Sequence, residues 1–179
     1  PGAGSAGLGV AVLTMFKQEW QRQHATSVPN CLAIVDDAPK TQFMFPEFQL
    51  AQRLFQTKGI EALILDPSEL VYADGRLTAR GKPICMVYNR LVDFSLDATA
   101  HAALRRAYLD GAVVVTPNPR AHAILADKRN LALLSTPHTL PDWGLTLADA
   151  DCLEDVVPKT GLVSSEDATA LWSARRQLF

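Results

Sequence analysis

The sequence is short of the residue patterns that mark several common classes of protein. Its three cysteines are widely spaced, which argues against a disulfide framework or a zinc site. The sequence has seventeen basic and nineteen acidic residues, so it has no net positive charge that would attract nucleic acid or acidic lipid. The longest apolar run, 7–16, is far shorter than the roughly 20 residues that span a bilayer. We therefore expect a cytoplasmic protein with no nucleic-acid or membrane partner.

Familiar catalytic motifs are also missing from the sequence. It contains no G-x-S-x-G elbow, no Walker A loop and no H-x-x-x-H metal pair. His101 and His122 fall on predicted helices without an evident acid partner, His24 lies in a polar helix tail, and His138 lies in a proline-rich loop. We predict neither a catalytic residue nor a metal site in this chain.

One nucleotide-binding pattern does occur, at the start of the chain. GAGSAG (2–7) matches G-x-G-x-x-G, which holds a dinucleotide pyrophosphate where a strand leads into it and an acidic residue follows about twenty positions later. Only Pro1 precedes the pattern, and no acidic residue lies near position 27. We therefore expect a mobile glycine-rich terminus, followed by a helix through VAVLTMFKQEWQ (10–21), in place of an NAD or FAD site.

Short apolar runs alternate with helical patterns through the middle of the chain. Four runs predict buried strands: CLAIVDD (31–37), IEALILDP (60–67), ICMVYNR (84–90) and GAVVVTPNP (111–119). Two apolar stripes at helical spacing separate them, one from Met44 to Phe55 and one from Ala100 to Tyr108, the second capped by 97–99. This alternation predicts an α/β fold with an open, mostly parallel sheet of about four strands flanked by helices.

Two segments depart from this alternation. Asp74-Gly75 between β-prone runs predicts a small hairpin inserted before the third strand. After Ser135 the chain is rich in proline and has no long periodic segment. There we expect a strand or an extended edge over 156–163 and a helix over 166–177.

Polar residues follow each predicted strand, where ligands of open parallel sheets bind. These residues are Asp36-Asp37, Asp66, Asn89-Arg90 with Asp93, and 116–118. The third strand is the most informative, because an almost wholly apolar run ends in Asn89 and Arg90. The Arg90 guanidinium suits a carboxylate or a phosphate; alternatively, an Arg90–Asp93 ion pair orders the loop. Asn89, Arg90 and Asp93 are the candidate substrate-binding residues.

The run ADKRN (126–130) contains a second candidate site. If Asp127 caps the helix NLALLS, then Lys128 and Arg129 lie in its first turn, where the helix dipole disfavours cations. A bound phosphate would remove this conflict, which makes Lys128 and Arg129 candidate ATP-binding residues. The alternative is an unbroken helix over 119–134, on which Lys128 shares an apolar stripe and extends its charge to solvent.

The sequence resembles two known families. AIVDDAPKTQF (33–43) before an amphipathic helix and ALILDP (62–67) is similar to the start of a response-regulator receiver domain, whose paired acids hold Mg²⁺. That family carries a phosphoacceptor aspartate at the end of its third strand, where this chain has Asn89 and Arg90. This resemblance implies a receiver-like or flavodoxin-like signalling or small-ligand binding module without enzymatic activity.

The second resemblance is longer. It is carried by four stretches: QFMFPEFQLAQRLFQTKGIEALILDPSEL (42–70), VYADGRLTARGKPICMVYNRLVDF (71–94), HAILADKRNLALLS (122–135) and VVPKTGLV (156–163). In order and character they resemble the front part of ATP-grasp ligases of the glutathione synthetase and glutathionylspermidine synthase type, including circularly permuted relatives, over about residues 12–179.

That resemblance implies three parts: a glycine-rich segment and helix (1–27), a Rossmann-like pre-ATP-grasp domain (28–135), and a connector (136–179) toward an ATP-grasp body. It also implies that Arg90 contacts a substrate carboxylate and Lys128 an ATP phosphate. The intact enzyme would use ATP and Mg²⁺ to join a carboxylate to an amine through an acyl phosphate. Because such ligases continue beyond the position of Phe179, we expect an inactive fragment that binds neither cofactor alone and has the remainder of its polypeptide as partner.

Overall fold

The computed structural model describes residues 3–24, 28–136 and 140–178, in an α/β fold with two units, 1–123 and 124–179. The first unit contains, in chain order, α1 (Ala3–Gln23), β1 (Cys31–Val35), α2 (Phe45–Gln56), β2 (Glu61–Leu65), β3 (Leu70–Ala73), β4 (Arg76–Ala79), β5 (Lys82–Pro83), β6 (Met86–Asn89), α3 (Ala102–Leu109) and β7 (Val114–Thr116). The next helix, α4 (Pro119–Leu125), crosses the division between the units.

Four strands form a parallel sheet in the order β2-β1-β6-β7. The register places Val35 beside both Leu65 and Asn89, and Tyr88 beside Thr116. Each strand lies where an apolar run predicted one, so the predicted sheet is confirmed. The chain moves outward from β1 to β2 and then crosses back to β6, so the strand order reverses between β1 and β6.

Helices cover one face of this sheet. Phe16 and Trp20 of α1 and Phe48 and Phe55 of α2 are buried against it, and the rings of Phe16 and Phe55 meet edge to face at 5.0 Å. Phe48 and Phe55 share one face of α2 because they are two helical turns apart, as the predicted stripe required. Because Phe16 and Trp20 of α1 are buried against the parallel sheet, α1 belongs to the first unit.

The other face is covered by α3 and a small antiparallel sheet of order β3-β4-β5. Its core includes Leu70 and Leu77 from the small sheet and Leu104 from α3. The predicted hairpin joins β3 to β4 through Asp74-Gly75, where both residues have positive φ, 50° and 71°, as a tight two-residue turn requires. Since both faces of the parallel sheet are covered, its strands are apolar almost throughout.

Two expectations for the first unit are wrong. The backbone is helical from Ala3, so Gly4 and Gly7 belong to α1 and not to a mobile segment or a phosphate loop, while Gly2 lies outside the described residues. Asp97 does not cap α3, since a 3-10 turn over Thr99–His101 precedes that helix and neither start has a side-chain cap. Asp97 lies 3.6 Å from Arg105 instead.

The described residues of the second unit include the short helices α5 (Arg129–Leu134), α6 (Leu147–Val156) and α7 (Ala168–Ala174). The unbroken helix over 119–134 is wrong, because α4 ends at Leu125 and α5 begins at Arg129. A strand over 156–163 is also wrong: Val156 ends α6, and residues 157–163 form no strand, although the backbone of Val157 is extended. The helix predicted over 166–177 is present as α7 and a 3-10 turn, Arg175–Gln177.

The units divide at 123/124, whereas the predicted boundaries were 27/28 and 135/136. Among the described residues, no helix combines the length and apolarity that crossing a bilayer requires.

Candidate functional site

Polar residues gather where β1 and β6 end side by side. Reversal of strand order opens a crevice outside the carboxyl ends of two neighbouring parallel strands, and ligands of open α/β sheets bind there. The chain leaves β1 at Asp36 and β6 at Arg90, and the Arg90 backbone N–H donates to the Val35 carbonyl at 2.9 Å. The two strands therefore stay paired up to this crevice.

Arg90 is held in a fixed orientation at this point. Its side chain is 29% exposed, its Nη1 donates to the Tyr88 hydroxyl at 3.2 Å, and its Nη2 lies 3.6 Å from Glu47 Oε2. The guanidinium also lies over the rings of Tyr88 and Phe48, 5.4 and 5.7 Å from their centroids. The alternative Arg90–Asp93 pair is therefore wrong: the carboxylate beside Arg90 belongs to Glu47, on the helix that follows β1.

Two buried polar atoms near the crevice have no hydrogen-bond partner within the described part of the chain: Arg90 Nε and Thr116 Oγ1. Thr116 lies beside Tyr88, and Arg90 lies two residues beyond Tyr88 on the same face of the sheet. Strand spacing and rise put the two Cα atoms roughly 8 Å apart. A buried donor without a partner is costly, and a ligand oxygen between the strand ends would satisfy both.

Asp36 supplies a buried carboxylate to the same crevice. Its Oδ1 accepts a hydrogen bond from the Asp37 backbone N–H at 2.9 Å. Burial raises the pKa of Asp36, and the hydrogen bond from Asp37 and the charge of Arg90 offset only part of that rise. Asp36 is thus a negative group beside Arg90, one strand away.

A buried histidine connects the segments that follow β1 and β6. His101 is 2% exposed; its Nδ1 lies 2.7 Å from Asp93 Oδ2 and its Nε2 lies 2.9 Å from Asp37 Oδ1. Only the imidazolium can donate to both carboxylates. Burial lowers the pKa of His101, but the hydrogen bonds to Asp37 and Asp93 raise it more, and the net shift is upward. The expectation that His101 lacks an acid partner is therefore wrong.

Asn89 and Asp93 shape the loop after β6. Asn89 Oδ1 accepts from the Leu91 backbone N–H at 3.1 Å, and Asp93 Oδ2 accepts from the Ala98 backbone N–H at 2.8 Å as well as binding His101. The hydrogen bond from Ala98, together with those from His101 and Asp97, lowers the pKa of Asp93. The side chains of Asn89 and Asp93 therefore form hydrogen bonds within the protein, whereas the buried Nε–H of Arg90 has no hydrogen-bond partner among the described residues.

A cavity of about 510 Å³ opens at the same edge of the sheet, beyond the end of β2. Its lining includes Lys40, Gln49, Ile64 and Arg80. Asp66 closes one side by accepting hydrogen bonds from the backbone N–H groups of Ala38 and Ser68. This cavity is large enough for a small molecule, but Asp36, Arg90 and Thr116 are not among the residues that line it.

Lys128 and Arg129 lie in the second unit, at the start of α5. Asp127 Oδ1 accepts from the Arg129 backbone N–H at 2.9 Å, and Asp127 Oδ2 accepts from Arg129 Nε at 2.8 Å. The N-cap of α5 is nevertheless Lys128, with no side-chain capping hydrogen bond, so the prediction that Asp127 is the N-cap and Lys128 lies in the first turn is wrong by one residue. The side-chain hydrogen bond from Arg129 lowers the pKa of Asp127. Because Asp127 compensates the charge of Arg129, a bound phosphate is not needed there, and the exposed Lys128 is the stronger candidate.

No group of three or more His, Cys, Asp and Glu side chains comes together as a potential metal site within 3–24, 28–136 and 140–178. No protein-family model matches the chain, and a search of curated proteins gives no significant match. Fold and site together define an open α/β domain with a half-buried arginine at its topological switch point.

Proposed function

We propose that the first unit binds a carboxylate-bearing small molecule at Arg90, as the substrate-binding part of an ATP-dependent carboxylate–amine ligase. One observation carries this proposal: Arg90 Nε is buried at the switch point and has no hydrogen-bond partner among the described residues, although Tyr88 and Glu47 fix the rest of the guanidinium. A carboxylate oxygen accepts from such a donor in a charge-assisted hydrogen bond, worth about 1.5–3 kcal/mol.

The ligase assignment is supported by the order of elements that resembles the front part of ATP-grasp enzymes. In that scheme Arg90 positions the carboxylate substrate, and Lys128 neutralises the charge of an ATP phosphate. ATP with Mg²⁺ would supply the phosphoryl group that activates the carboxylate for attack by an amine. The described residues bring no Mg²⁺ ligand set together, so we assign no metal contact to them. We also propose a cytoplasmic location, which the three free thiols fit.

The receiver-like alternative has less support in the geometry. A receiver domain needs its paired acids free to hold Mg²⁺, but Asp37 is hydrogen-bonded to His101. The third parallel strand ends in Asn89 and Arg90, where a phosphoacceptor aspartate would be required. We therefore propose the ligase portion and not a signalling module.

Titration of the isotope-labelled chain by ¹H–¹⁵N NMR tests the role of Arg90. The ligand panel is propionate, glutarate, L-alanine and L-glutamate. We expect at least one to shift amides at the ends of β1 and β6, and Arg90→Gln to weaken that binding by about tenfold or more. Arg53→Gln, an exposed arginine on α2, is the control. Equal affinity in Arg90→Gln, or no binding by any of the four, would contradict the proposal.

The role of Lys128 is tested in the full-length protein. We expect Lys128→Ala to weaken ATP binding by several-fold, as loss of a phosphate-contacting cation does, while circular dichroism and the melting temperature stay unchanged. Lys159→Ala, an exposed lysine of the same unit, is the matched control. An ATP affinity that does not change in Lys128→Ala refutes this assignment.

A further inference from the structure

We propose that the ligand of this site is a zwitterion, whose carboxylate binds between Arg90 and Thr116 and whose ammonium group binds at Asp36. The inference rests on the proposed function of Arg90. It goes further by assigning Thr116 and Asp36 as specificity-determining residues and by naming the substrate class: an amino acid, or a molecule that carries an adjacent ammonium and carboxylate.

The register of the sheet determines the relative positions of Asp36, Arg90 and Thr116. Val35 lies beside Asn89 at the ends of β1 and β6, and the Arg90 backbone N–H still donates to the Val35 carbonyl. Asp36 and Arg90 therefore follow neighbouring strand ends, and strand spacing puts their Cα atoms about 5 Å apart. Thr116 ends the next strand on the other side of β6. Side chains alternate along each strand, so all three lie on the α1 and α2 face. One face thus presents a carboxylate, a guanidinium and a hydroxyl in succession.

The hydroxyl of Thr116 supports a bound ligand, because it forms no hydrogen bond with the described residues. The residue is 6% exposed and ends a strand that is otherwise valine, yet Oγ1 has no hydrogen-bond partner among the described residues. Valine would fill nearly the same volume without burying a polar atom. A ligand carboxylate, by contrast, uses the hydroxyl as a second donor beside Arg90 Nε.

The charges around Arg90 decide what accompanies that carboxylate. Asp36 and Glu47 both lie close to the single guanidinium, so the three groups together carry a charge of about −1 when ionised. With a simple anion bound, the summed charge of these groups and the ligand would be about −2. Like charges repel strongly in such a partly buried crevice. A zwitterion adds no net charge. Its ammonium group donates to the Asp36 carboxylate. Among the described residues, that carboxylate accepts a hydrogen bond from the Asp37 backbone N–H and from no other group.

The test compares matched pairs that differ only in the ammonium group: L-alanine with propionate, and L-glutamate with glutarate. Affinities come from NMR titration of the full chain at pH 7. We expect at least one zwitterion to bind about tenfold tighter or more than its partner, with shifts at 36, 90 and 116. If both members of each pair bind equally and Arg90→Gln abolishes binding, this inference fails while the proposed function stands. If Arg90→Gln changes nothing, both fail.

Conservative variants separate the two contacts. Asp36→Asn keeps the shape and one acceptor, and we expect it to remove the preference for the zwitterion without weakening the carboxylate. Thr116→Val removes only the hydroxyl and is expected to weaken both members of a pair by about three- to tenfold, while Thr116→Ser restores binding. Asp97→Asn, an exposed aspartate of the loop after β6, is the control. An unchanged preference in Asp36→Asn, or unchanged affinity in Thr116→Val, overturns the corresponding contact and with it the proposal.

Discussion

Replacement of His101 by alanine tests how the segments after β1 and β6 are held together. The imidazolium donates to Asp93, whose side chain is 26% exposed, and to Asp37, whose side chain is 56% exposed. A charge-assisted hydrogen bond to the shielded Asp93 is worth about 1.5–3 kcal/mol, and solvent screening reduces the contribution of Asp37 to about 0.5 kcal/mol. Loss of the buried ring adds about 1 kcal/mol. We expect His101→Ala to lower the free energy of unfolding by about 3–4.5 kcal/mol at pH 6.

The pH dependence of that loss distinguishes a charged bridge from simple packing. The folded-state pKa of His101 is raised above its ordinary value of about 6.5. The stabilisation from the imidazolium is therefore fully present below pH 6.5 and is lost as the pH rises through the folded-state pKa. The difference between wild type and His101→Ala is expected to be largest near pH 6 and to shrink toward pH 9.

Urea denaturation at pH 6, 7.5 and 9, followed by circular dichroism, measures this difference. His122→Ala is the matched control, because His122 stacks on Phe94 with 3.6 Å between ring centroids and has no carboxylate partner among the described residues. Its effect on stability should not follow the same pH dependence. An equal loss for His101→Ala at pH 6 and pH 9, or a neutral His101 ring at pH 6 by NMR, would refute the bridge.

Two further predictions concern the fold. Phe48→Ala should lower the free energy of unfolding by about 3–5 kcal/mol in the same assay, because the ring is fully buried between α2 and the sheet; a loss below 1 kcal/mol would contradict this packing. Gly75→Ala should cost about 1 kcal/mol, since φ is +71° in the hairpin turn, whereas Gly7→Ala in α1 should be neutral or stabilising; the reverse order would rule out that turn or that helix.

The four parallel strands and the hairpin were predictable because their signals are local. An apolar run bounded by Gly, Pro or Asp predicts a buried strand without further information, and Asp74-Gly75 predicts a tight turn in the same way. The helix α6 also had a local signal, the Thr146–Asp149 capping box, in a stretch whose prolines and glycines suggested irregular structure. A break in the helix at Asp127 was one of two alternatives that the sequence left open, and the structure has this break between α4 and α5.

The site was predictable only in part, because its contacts depend on the crossovers. Arg90 was a candidate from its place at a strand end, but its neighbour Glu47 comes from α2, and no spacing in the sequence links them. His101 is eight residues from Asp93 and sixty-four from Asp37, so its two acid partners meet only when the segments after β1 and β6 converge. The position of His101, directly after the first residue of a helical stripe, gives no sign of this.

Strand order decides which strand-end charges act on Arg90. Along the chain, Asp66 is closer to Arg90 than Asp36 is, and a count of positions would favour it. The sheet order β2-β1-β6-β7 instead places β1 between β2 and β6, so Asp36 is one strand away and Asp66 two. Asp66 is also occupied with the backbone N–H groups of Ala38 and Ser68. The carboxylate that we assign to a ligand is therefore the buried Asp36, and the proposed preference for a zwitterion rests on this topology.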